Sequence, residues 1–294
     1  MREFVDGDRS CRSSVAVRRR QGARKRLGGA PRARWYSRLR FRGEREHAGG
    51  SVVIISHKHR YLFVELPRTG STAVRRELRE LYDGVPILHK HATYIEFARQ
   101  ASETEKTYFT FSGIRNPLDD AVSRYYKLKT DHKQRFSDPG HHQRRRRPLN
   151  NLLDRRMYEY LRRTDADFSS FFLRFYMLPY DTWASLSHSS FDFVLRFEHL
   201  VDDFDAVLRR IGIEPVRPLP HVNVTDQRAR HHADYYSPVA IRRARRVMGP
   251  YMERWGYQFP EGWGVEPPSR LHRLGYAGFS RFAQVYWRLL RPRS

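Results

Sequence analysis

Tyr61-Leu62-Phe63-Val64-Glu65-Leu66-Pro67-Arg68-Thr69-Gly70-Ser71-Thr72 opens as a mostly apolar, aromatic and β-branched run and passes through a proline into a loop of glycine and hydroxyl residues. The run reads as a buried strand. Beyond the loop, Val74, Leu78, Leu81 and Tyr82 recur at i, i+4, i+7 and i+8, the apolar stripe of a helix that stops at Asp83-Gly84. Strand, turn and helix in that order bring free backbone N–H groups and the positive end of a helix dipole to one point, where an anion can sit. The plainer alternative is a helix merely capped by Ser71 or Thr72. A Walker A loop is excluded, because G-x-x-x-x-G-K-[ST] needs a second glycine and a lysine that the segment from Leu66 to Ala73 lacks.

A second strand-to-helix passage follows. Tyr108-Phe109-Thr110-Phe111-Ser112-Gly113-Ile114 is aromatic and β-prone. Arg115-Asn116-Pro117 then supplies an N-cap with proline at the first helical position, and Asp119 and Asp120 fall in the first turn. Arg115 stands at the mouth of the strand. Ser123, two helical turns on, lies on the same side and can offer its hydroxyl to the same anion. An arginine fork with a serine makes a phosphate clamp.

These two motifs together resemble the two cofactor signatures of the sulfotransferases that use 3′-phosphoadenosine 5′-phosphosulfate (PAPS). The segments Phe191–Leu200, Leu219–Asn223 and Trp255–Pro260 are similar to the carbohydrate-type branch, so the resemblance covers the chain from about Ser51 to Pro260. It implies an α/β domain whose central parallel sheet is flanked by helices, in the nucleotide-kinase-like, P-loop-related sulfotransferase fold. It implies PAPS as co-substrate, sulfuryl transfer to an acceptor hydroxyl on a carbohydrate or glycolipid, and no metal. By the same resemblance Arg68, Thr69, Gly70, Ser71 and Thr72 hold the 5′-phosphosulfate, Arg68 also serving catalysis, and Arg115 with Ser123 hold the 3′-phosphate. The family usually carries lysine where this chain has Arg68, a planar fork in place of a point charge.

Transfer to a hydroxyl needs a base, and histidine is the side chain suited to that near neutrality. Between the motifs lies Ile87-Leu88-His89-Lys90-His91-Ala92-Thr93-Tyr94. His91 is the expected base and His89 the second candidate; a surface or core-edge histidine is the competing reading. His57 and His59 sit in a polar turn, with no ligand set for a metal around them.

Composition bounds the rest. The 294 residues are 39% hydrophobic and 14% aromatic, enough for a core, and the formal net charge is +24. The single cysteine, Cys11, excludes an intrachain disulfide framework and a cysteine-based zinc site. No run approaches the roughly 18 apolar residues of a membrane span, so a cytoplasmic enzyme is expected, peripheral at a membrane at most. Such a charge points to polyanionic partners: nucleic acid, anionic lipid or acidic glycan. Its location argues against nucleic acid, since arginines crowd into residues 1–50, expected to be disordered, and into Arg144-Arg145-Arg146-Arg147 within a loop over Asp131–Asn151. That leaves 51–264 as the sulfotransferase-like domain and 265–294 as a basic amphipathic tail.

The remaining elements are read from periodicity: a first strand over Ser51–Ser56, a short helix around Ile95–Ala98, helix over Leu152–Phe175, a strand at Phe191–Phe197, helix over Asp203–Ile211, and helix over Pro238–Trp255 with Val239, Ile241, Val247 and Tyr251 inward. The tail alternates apolar and aromatic residues with arginines, which suits an interfacial helix on an anionic membrane or a docking helix. Two other classes compete with the transferase. A P-loop kinase lacks its Walker lysine here, and a nucleic-acid-binding protein lacks a recognition motif.

Overall fold

In the computed structural model, residues 53–88, 92–134, 136–138, 148–182, 190–220, 231–264 and 267–290 are described. The expectations for residues 1–50, the four-arginine run, His89, His91 and Asn223 fall outside them.

The apolar run becomes strand β2 (Tyr61–Val64), buried on both faces, and the second passage becomes β4 (Phe109–Ile114). With β1 (Val53–Ser56), β3 (Val85–Ile87) and β5 (Phe193–Arg196) they form a five-stranded sheet of order β3-β1-β2-β4-β5. Strands β2, β4 and β5 run parallel, Phe63 opposite Phe111 and Phe111 opposite Phe193. The sheet is not parallel throughout, which corrects the expected central parallel sheet. β1 pairs antiparallel with both β2 and β3. Only the turn 57–60 separates Ser56 from its partner Tyr61, and a link that short can only fold the chain back on itself. β3 went unread because it is short and carries Pro86, which is tolerated on a sheet edge.

Each parallel strand feeds a helix: α1 (Ser71–Leu81) after β2, α3 (Pro117–Lys129) after β4, and α6 (Leu200–Arg210) after β5. On one sheet face Ile54, Tyr61, Phe63 and Phe111 pack with Val74 and Leu78 of α1 and Phe204, Val207 and Leu208 of α6. The other face buries Val53, Ile55, Leu62 and Val64 against Tyr108 and against Phe97 of α2 (Tyr94–Gln100). Covered on both sides, these strands read as continuous apolar runs rather than alternating ones.

A second core lies among helices. Leu118, Val122 and Tyr125 of α3 pack with α4 (Pro148–Thr164), α5 (Phe168–Phe175) and α7 (Pro238–Trp255). The expected single helix over Leu152–Phe175 is therefore two. The chain breaks at Asp165, in the left-handed region at φ 43°, and restarts where Asp167 accepts a hydrogen bond from the Ser170 N–H at 2.8 Å. In α7, Val247 and Tyr251 are buried as expected, but Val239 is exposed, and Ala240, Ala244 and Met248 complete the inner stripe. The expected tail contains α8 (Arg270–Leu290), which packs along α7.

Candidate functional site

The carboxyl ends of β2, β4 and β5 come together, and every residue proposed for the donor that lies in the described segments is at two of those ends. After β2 the chain passes through Arg68 and Gly70, both with positive φ (70° and 72°), before α1 begins at Ser71. Left-handed backbone suits glycine at Gly70, where a Cβ would also run into Leu200. Thr69 and Ser71 turn their hydroxyls inward, donating to the Leu66 carbonyl at 3.0 and 2.6 Å. Neither caps the helix. No side chain caps α1 and no acid lies in its first turn; the carboxylate beside it is that of buried Glu65, which accepts from the Ser71 hydroxyl at 3.3 Å and pairs with Arg75 at 3.4 Å. Thr72 is the half-buried hydroxyl of the set.

Arg68 has 35% of its side chain exposed, and its Nη1 lies 3.2 Å from Oδ2 of buried Asp120. Tyr180 donates its hydroxyl proton to the same oxygen at 3.0 Å. Burial, with the Asp120 carboxylate next, pushes the Tyr180 phenol well above its ordinary range, so it remains a donor. Oδ1 of Asp120 is buried and has no hydrogen-bond partner among the described residues. Asp120 thus holds Arg68 from beneath. A helix-opening acid was legible in the sequence as a dipole partner; its pairing across to the first loop was not.

At the end of β4 the guanidinium of Arg115 is almost wholly enclosed. Its Nε and Nη2 reach Oδ2 of Asp119 at 2.6 and 2.5 Å, and its plane lies over the Phe197 ring, 4.1 Å from the centroid. Nη1 donates to the Arg68 carbonyl at 3.3 Å and approaches Ser123 Oγ at 3.5 Å. Gly113 lets the loop come this close, since a Cβ there would stand 3.1 Å from Cβ and Oγ1 of Thr69. The two motifs, 47 residues apart at Arg68 and Arg115, are in direct contact.

The end of β5 supplies what sequence reading missed. Phe197 packs between Gly70 and Arg115. Glu198 accepts from the Asn116 N–H at 2.7 Å and from the Tyr257 hydroxyl at 3.1 Å, fixing the start of α3. The available signal is an acid directly after an apolar strand.

The sulfotransferase family model matches residues 50–257, more than half of the chain. The protein belongs to the sulfotransferase family. This sulfotransferase is therefore a transferase of sulfuryl groups, with its mixed α/β sheet and the meeting strand ends inside the matched span. Comparison with curated proteins and with solved structures gave no match. Among the described residues the sulfotransferase has no group of three or more histidine, cysteine or acidic side chains able to hold a metal ion. His59 Nε2 instead lies 3.1 Å from Asp83, and His57 Nδ1 lies 3.1 Å from the Tyr108 hydroxyl, tying the 57–60 turn to the body. No helix among the described residues is long and apolar enough to cross a membrane.

Proposed function

We propose that the sulfotransferase moves a sulfuryl group from PAPS to a hydroxyl of a carbohydrate or glycolipid acceptor, on a nucleotide-kinase-like frame. The observation that supports this is the hydrogen bond from Arg115 Nη1 to the Arg68 carbonyl at 3.3 Å. It brings together two strand ends, each with its own cationic side chain, as gripping one nucleotide by anionic groups at both ends requires. Crevices outside the carboxyl ends of parallel strands are where ligands settle in such sheets.

In this reading the 5′-phosphosulfate lies at the start of α1, on the loop from Arg68 to Thr72. The helix dipole, the loop N–H groups and Arg68 offset charge gathering on the sulfuryl oxygens and the departing phosphate. Arg115 and Ser123 receive the 3′-phosphate. As the acceptor oxygen bonds to sulfur, the bond from sulfur to the 5′-phosphate oxygen breaks and adenosine 3′,5′-bisphosphate leaves. The acceptor's proton passes to His91, or to His89 as the alternate. Asp120, braced by Tyr180, positions Arg68.

The test is incubation with isotopically labelled PAPS and a panel of hydroxyl acceptors, alongside calorimetry with adenosine 3′,5′-bisphosphate. Label should move to a carbohydrate-type acceptor. His91→Ala should keep the calorimetric affinity while slowing turnover by about 100-fold or more. An absence of heat with adenosine 3′,5′-bisphosphate overturns the donor assignment. Unchanged turnover in His91→Ala moves the base to His89.

A further inference from the structure

Helix α8 has two unlike sides. One holds it to the body. Arg273 donates to both oxygens of Glu253 at 2.8 and 2.7 Å, Ser280 donates to Asp181, and Tyr276 is buried. The other side carries Leu271, Leu274, Phe282 and Val285, exposed by 79%, 69%, 68% and 53%. Their spacing of i, i+3, i+11 and i+14 puts all four in one row along the axis at 3.6 residues per turn. Gly275 and Gly278 fall in the same row, each with open space where a Cβ would stand. The row is therefore exposed at each of these positions. It is an apolar strip left in water on a helix already docked through its opposite side, and such strips mark interaction surfaces.

Charge indicates what covers it. Exposed Arg270 and Arg281 border the row along one edge. From Pro267 to Ser294 the sequence contains no aspartate or glutamate, whereas arginine stands at 270, 273, 281, 288, 291 and 293. A second copy docking through this same face would bring the same acid-free stretch, with no carboxylates on it to receive the arginines. A layer of anionic headgroups supplies them, and the acyl boundary beneath accepts the apolar row.

We propose that this face of α8 docks the enzyme on an anionic lipid bilayer. The helix lies in the plane of the interface with Leu271, Leu274, Phe282 and Val285 inserted and Arg270 and Arg281 among the lipid phosphates. The proposal concerns the tail helix alone and stands whether or not PAPS is the donor.

The experiment is co-sedimentation of the full chain with vesicles of mixed phosphatidylglycerol and phosphatidylcholine, compared with pure phosphatidylcholine. It is run at low salt and again at about 0.5 M salt, where attraction between exposed charges is largely screened. At low salt the other arginine-rich stretches contribute to binding; at high salt the inserted apolar row should dominate. The wild-type chain should stay with the anionic vesicles at high salt, and Leu274→Asn with Phe282→Asn should lower that partition by about tenfold or more. Both positions are exposed, so the unfolding midpoint should be retained. Equal partition of the double variant and the wild type overturns the proposal. So does a lipid-free dimer in analytical ultracentrifugation that the double substitution returns to monomer, because the row then belongs to a second copy.

Discussion

Helix α1 starts behind a left-handed Gly70, with no capping side chain and no acid in its first turn. Helix α3 starts behind Asn116, whose side chain accepts from the Leu118 N–H at 2.9 Å, with Pro117 at its first position and Asp119 and Asp120 in its first turn. Both follow parallel strands of one sheet, and in sequence both read as places for a phosphate. They differ in capping and in how deeply their arginines are buried. The end of α1 has no cap, and the arginine beside it, paired with Asp120, keeps 35% of its side chain exposed. At α3 the cap and two carboxylates already answer the dipole, and Arg115 is spent largely on Asp119 and Phe197. An anion reaching α1 meets an arginine with 35% of its side chain exposed and one carboxylate partner, Asp120, whereas one arriving at Arg115 must share an almost wholly enclosed guanidinium that also binds the two motifs together. On the proposed function, the loop is then the receptive half of the site and the second strand end its brace.

The largest effect that tests this contrast comes from Asp119→Ala, which strips a buried guanidinium of its counter-charge and should destabilise the fold by about 3–5 kcal/mol. Urea unfolding measures it as a lower midpoint at unchanged slope. Unchanged stability with weakened affinity for adenosine 3′,5′-bisphosphate would make Asp119 a ligand-site residue and erase the distinction. Next is Arg68→Ala, expected to cut sulfuryl transfer by about 100-fold or more through loss of charge stabilisation. Stability should fall too, but by less than in Asp119→Ala, because Tyr180 still donates to the buried Asp120 carboxylate that Arg68 leaves behind. The reverse order, read from labelled-donor turnover and unfolding together, would exchange the roles of the two arginines. Gly70→Ala should cost about 1–2 kcal/mol for the left-handed backbone alone, with further loss from contact with Leu200, and should weaken donor affinity with it. Smallest is Asn116→Ala, which removes a cap and should cost about 1 kcal/mol while leaving donor affinity where it was. A fall in affinity there would mean that the start of α3 also receives the anion.

Legibility followed the range of the interactions. The strand–loop–helix passage around Gly70 and the capped start at Asn116-Pro117 could be read because each is decided within a window of a dozen or so residues. Ser123 could be placed beside Arg115 from helix periodicity, and the two sit 3.5 Å apart. Asp119 and Asp120 were visible only as acids near a helix start, with nothing to say that one would take Arg115 and the other would cross to Arg68. Phe197 and Glu198 were harder still, since their contacts with Gly70, Arg115 and Asn116 exist only once β5 lies beside β4.

The sequence by itself determined where strands turn into helices and which residue types stand at those turns, because apolar periodicity, capping residues and breakers act between near neighbours. Tertiary structure alone decided that β1 runs against its neighbours, that the helix expected over Leu152–Phe175 restarts at Phe168, and which carboxylate meets which arginine. Those outcomes depend on sheet order and register. A carboxylate can choose between two cations only after residues far apart in the chain have been brought within a few ångströms of one another.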